Sequence, residues 1–130
     1  MMLSDTLEQA SQGLLMPSES DYPFETFIWS GQAGESLTPK QLLQLTGHPP
    51  ETPVESVDLE YLFRNLTQPQ EWHDTMQQAN VVKFQTLMQT LKANLSDLQV
   101  YRVGSIEIEV YIVGKNDDDL AGLKTKLIET

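Results

Sequence analysis

The sequence predicts an α+β domain in which helices pack on a mostly antiparallel sheet, and three observations carry that expectation. Residues 106–113 alternate between Ile106, Ile108, Val110 and Ile112 on one side and Glu107, Glu109 and Tyr111 on the other, the period-two pattern of a strand with one covered face. Residues 77–95 place Val81, Phe84, Met88, Leu91 and Leu95 three and four positions apart, with Leu87 widening the stripe, which makes a helix with one face turned to a core. Gly104 and Ser105 join the alternating segment to the preceding run 98–103 as a hairpin.

The other elements follow in chain order. Residues 4–15 read as a helix on Leu7, Ala10, Leu14 and Leu15, with Ser4 as N-cap and Asp5 and Glu8 near the positive end of the helix dipole. The stretch FETFIW, residues 24–29, is a half-buried strand with Phe27 and Trp29 on one face and Phe24, Thr26 and Ile28 on the other. Thr38 as N-cap, Pro39 in the first turn and Gly47 beyond the end bound a short helix over residues 39–46. His48, Pro49 and Pro50 break the chain before a strand at 54–57. Asp58 then caps a helix carrying Leu59, Leu62, Phe63 and Leu66, and the stretch TQPQEWHD is a loop. After the polar loop GKNDDD a last strand covers residues 123–128. One domain spanning 1–130 is expected from the length.

Charge narrows the function classes. Eight basic against nineteen acidic side chains give a net charge of −11, which repels free nucleic acid and anionic membrane surfaces. Residues 1–39 hold six acids and no base, and ten of the eleven net negative charges fall in the first 76 residues. The absence of cysteine excludes a catalytic thiol, a disulfide frame and a thiolate metal site, and two histidines leave little for a histidine metal site. The N-terminus has no basic region followed by an apolar run, and no stretch is long enough to span a membrane, so a cytoplasmic protein without a signal peptide is expected.

No phosphate-cradling glycine loop, nucleophile elbow, paired-histidine motif or EF-hand spacing occurs. Asp117, Asp118 and Asp119 lack the ligand spacing of a calcium loop and read as a solvated turn, and His73 beside Asp74 reads as exposed polar residues. Glu107 and Glu109 share a strand face roughly 7 Å apart, but alternating carboxylates are expected on any wet sheet face, and no enzyme follows. Three other groups stand out as contacts. Ser18, Glu19, Ser20, Asp21 and Tyr22 form an acidic, hydroxyl-rich loop; Glu71, Trp72, His73 and Asp74 set a tryptophan among acids; Glu129 and Thr130 end the chain directly after a strand, where hard oxygens suit Mg²⁺.

At these segments the sequence resembles the bacterial nuclease A inhibitors, through ASQGLLMPSESDYPFETFIW, QLTGHPP, TQPQEW, VVKFQTLMQTLKANL, QVYRVGSIEIEVYIVG and LAGLKTKLIET in order. The resemblance implies an α-β-α sandwich, a variation on the fold of pathogenesis-related proteins. It also implies a non-enzymatic inhibitor that binds a sugar-nonspecific ββα-metal DNA/RNA endonuclease one to one, is a monomer when free, and has no cofactor of its own. Carried onto this chain, Glu19 approaches the nuclease active site, Trp72 anchors the interface, and Thr130 supplies oxygen to the nuclease's Mg²⁺. The family pattern has aspartate immediately before the tryptophan, where this chain carries Glu71, keeping the charge and adding a methylene. Apart from the resemblance, the acidic half also suits an interaction domain for some other basic, nucleic-acid-binding protein.

Overall fold

The computed structural model describes residues 3–16, 22–29, 31, 38–63 and 75–128. In chain order the elements are α1 (Leu3–Ser11), β1 (Leu15–Met16), β2 (Tyr22–Pro23), β3 (Glu25–Trp29), α2 (Pro39–Thr46), β4 (Val54–Val57), α3 (Leu59–Leu62), α4 (Thr75–Asn94), β5 (Ser96–Val103), β6 (Glu107–Asn116) and β7 (Asp119–Ile128). β3, β7, β6, β5 and β4 lie side by side in that order as an antiparallel sheet, and β1 and β2 pair separately. The fold is α+β, as the patterning predicts.

Alternation along the strands divides the interior in two. Val100, Ile108, Val110, Ile112, Ala121, Leu123 and Leu127 face α1, α3 and α4, meeting Leu7, Leu59, Phe63, Phe84, Leu87, Leu91 and Leu95. The residues between them, Tyr101, Val103, Tyr111, Val113 and Leu120, face α2 and its Leu42 and Leu43, with Phe27, Trp29 and Val54 at the margin. Helices therefore cover both faces of the sheet. Each fully buried leucine or phenylalanine contributes roughly 1.5–3 kcal/mol by leaving water, so the larger first layer supplies most of the hydrophobic stabilisation.

Local chemistry fixes α2 as expected. Thr38 Oγ1 accepts from Gln41 N at 3.2 Å while Gln41 Oε1 accepts from Thr38 N at 3.2 Å, a reciprocal capping box ahead of Pro39. At the other end Gly47 adopts the left-handed conformation, φ 75°, and His48 N donates back to Leu43 O at 2.9 Å. α3 is a single turn, tied to α4 by the ion pair of Glu60 with Lys92, which lowers the Glu60 carboxyl below its ordinary range.

Several sequence expectations need correction. Asp58 precedes α3 without a side-chain cap hydrogen bond, and the helix ends at Leu62, so Phe63 lies just beyond it. The first helix runs from Leu3 to Ser11, so Ser4 lies within it rather than capping it, and Leu14 and Leu15 lie outside it; Leu15 begins β1 and pairs with Pro23 of β2. The stretch GKNDDD is no loop. β6 runs through Asn116 and β7 begins at Asp119, leaving Asp117 and Asp118 as a two-residue turn with Asp117 at φ 53°. Asn116 Nδ2 also donates to Asn94 O at 3.1 Å, binding the hairpin tip to the end of α4. Ile106 precedes the strand and is 60% exposed, because the hairpin turn extends through it. Tyr111, expected on a wet face, is only 4% exposed because α2 covers that side.

Candidate functional site

Glu19, Glu71, Trp72 and Thr130 lie outside the described residues, as do Ser18, Ser20, Asp21, His73, Asp74 and Glu129. The structure describes the elements that these segments join. Residues 17–21 connect the paired strands β1 and β2, residues 64–74 connect Phe63 to α4, and residues 129–130 follow β7.

Contacts distant in sequence hold the chain around two of these segments, β2 against β7 and Phe24 against Phe63. Thr125 of β7, a buried hydroxyl, donates to Pro23 O at 3.0 Å and also lies 3.3 Å from Tyr22 O, which fastens β2 beside β7 across about a hundred residues of sequence. The next ring along the chain, Phe24, sits edge-on to Phe63 with centroids 6.3 Å apart and to Phe84 at 6.2 Å, while Phe63 and Phe84 are 5.6 Å apart. Such aromatic pairs contribute about 0.5–1.5 kcal/mol each beyond burial. Phe63 immediately precedes residue 64, and Tyr22 immediately follows residue 21. Tyr22 belongs to β2 rather than to the loop in which the sequence placed it.

Charge at this end is mixed. A concavity of about 360 Å³ is lined by Tyr22, Glu25, Glu109, Lys124 and Lys126 among others. Lys124 Nζ lies 3.4 Å from Glu25 Oε2, and Lys126 Nζ stands 5.8 Å from the centre of the Tyr22 ring, within cation–π range. Both lysines project from β7 toward the chain that leads out of residues 17–21.

On the α2 side a polar chain crosses from helix to sheet. Thr46 Oγ1 donates to Leu42 O at 2.8 Å and lies 2.6 Å from His48 Nδ1; His48 Nε2 pairs with Glu109; Tyr111 OH donates to Glu109 Oε2 at 3.3 Å. Burial, reinforced by the Glu109 charge and hydrogen bond and opposed by Thr46, pushes the Tyr111 phenol up to about 12. In the sequence His48 stands only as part of a rigid break with Pro49 and Pro50. Its pairing with a residue 61 positions away depends on register, and no local pattern announces that.

The family model for nuclease A inhibitor-like proteins matches residues 2–130. The chain belongs to this family. No curated protein matches it.

Within this nuclease A inhibitor-like chain, Glu107 and Glu109 do not behave as a pair. Glu109 is held by His48 and Tyr111, whereas Glu107 is exposed at the start of β6 opposite Ile128 and does not line the concavity beside Glu109. Among the described residues no cluster of three or more carboxylates and histidines is placed to hold a metal ion, and no helix is long and apolar enough to cross a membrane. Asp119 has a structural partner, since its Oδ1 accepts from Gly31 N at 2.9 Å.

Proposed function

We propose that this protein inhibits a sugar-nonspecific ββα-metal endonuclease by occluding the enzyme's basic, metal-containing active site, acting in the cytoplasm as a one-to-one partner rather than as a catalyst. The observation that carries the reading is the family match over residues 2–130. The charge distribution supports it. A nuclease that accepts any nucleic acid reads the phosphate backbone, so its cleft is basic and carries a metal. A chain with ten of eleven net negative charges in its first 76 residues competes for the same field, and complementary charge accelerates encounter by roughly 10 to 1,000-fold.

Holding the complex falls to desolvated anchors, because rim charges act mainly on association and salt dependence. Glu19 approaches the active site, Glu71 pairs with a basic side chain of the enzyme, Trp72 fills an interface pocket, and Thr130 gives an oxygen ligand to the nuclease's Mg²⁺. Titrating a set of ββα-metal nucleases with the protein tests the proposal. Stoichiometric loss of cleavage is expected, with weakened inhibition when one glycine is added after Thr130. Undiminished cleavage at large molar excess across the set contradicts inhibition, and full-strength inhibition by the extended chain removes Thr130 from the mechanism.

A further inference from the structure

A second concavity, about 600 Å³, runs between α1 and the β1–β2 pair. Its rim carries Asp5 and Glu8, one helical turn apart and both exposed, and its apolar surface comes from Leu14, Leu15, Pro23 and Phe24. Among the described residues that line it, none is a lysine or arginine. Leu15 is the unusual member. Leu14 and Met16 on either side are 3% and 5% exposed and point into the core, while Leu15 is 48% exposed. An outward position on a two-residue strand does not need a leucine for folding.

We propose that this groove is a docking surface for a basic segment of the target nuclease, one bearing lysine or arginine beside a single exposed apolar side chain. The inference rests on the reading of the protein as a nuclease inhibitor and adds where and how a further part of the enzyme is gripped. Charge complementarity selects the occupant. The groove offers two carboxylates over an apolar floor in a stretch of sequence, residues 1–39, that contains six acids and no base. An anionic lipid surface or nucleic acid is repelled by the same groups. Position agrees as well, because Leu15 and Pro23 are paired with each other at the root of residues 17–21, the segment that carries Glu19. Asp5 and Glu8 then steer the approach, and Leu15 is covered once the complex forms.

The test uses the full chain and a ββα-metal nuclease inhibited in the titration above. Association and dissociation rates are measured for wild type, Asp5→Asn/Glu8→Gln and Leu15→Ser, with circular dichroism and thermal melting to confirm the fold, and amide shifts are followed in the labelled protein on adding nuclease. The double variant is expected to associate about tenfold more slowly at low salt, with the difference closing as salt rises. Leu15→Ser is expected to dissociate about tenfold faster, and the amides of Glu8, Leu14 and Leu15 are expected to shift in the complex. Unchanged rates with unperturbed groove amides, while Trp72→Ala still weakens binding, overturn the groove and leave the inhibitor reading standing. Absence of wild-type binding to any such nuclease overturns both.

Discussion

Tyr111 shows how a single side chain records the second layer of the fold. In sequence it sits between Glu109 and Val113 on what looks like a wet face, yet α2 covers it and Glu109 lies against its hydroxyl. The neutral phenol is therefore favoured in the folded state. With the folded value raised to about 12 from the ordinary 10, its contribution is complete below pH 10 and is lost as the pH climbs through 12. Ultraviolet titration is expected to show one tyrosine ionising near 12 that is missing from Tyr111→Phe, and that variant should lose less stability than wild type between pH 10 and 12. A Tyr111 titrating with the exposed tyrosines would contradict the packing of α2. Trp72 belongs to the same scale. Under the proposed inhibitor reading, in which it anchors the interface, its replacement by alanine is expected to weaken the nuclease complex by about 2 kcal/mol or more, read by calorimetry.

At the scale of elements, the structure depends on how closely β3, β7 and β6 approach. Gly122 lies between Phe27 and Val113 in register, and a methyl group there collides with the Ile112 carbonyl and sits 3.4 Å from Phe27 Cζ. Because the obstacle is backbone of the central strand, Gly122→Ala is expected to cost about 3 kcal/mol or more, measured by the denaturant midpoint. An alanine variant within half a kilocalorie of wild type would show that the strands separate cheaply. The same region explains what the sequence concealed. α2 was legible to the residue because Thr38, Pro39 and Gly47 are local devices that act within one turn. The β6–β7 tip was not, since Lys115, Asn116 and Asp119 look like loop chemistry until Asn94 and Gly31 are brought to them by the sheet. The two-residue strands β1 and β2 are too short to show a period, and Thr125 and Phe24 hold β2 in place through contacts distant in sequence. Of the candidate site, residue types and charge were legible; the contacts of Thr125 with Tyr22 and of Phe24 with Phe63 were not, because they form only through the tertiary fold.

For the molecule as a whole, helices cover both faces of the sheet, and the acidic first 76 residues dominate the net charge. Membership in the nuclease A inhibitor-like family and a net charge of −11 lead to the same expectation, a protein that takes the place of a polyanion in a basic cleft. Inhibition kinetics of a ββα-metal nuclease, measured at several DNA concentrations, test that claim most directly. Occlusion predicts complete loss of activity at one inhibitor per enzyme, with an apparent inhibition constant that rises in proportion to the DNA present. Cleavage that persists at molar excess, or an inhibition constant indifferent to DNA, would contradict it.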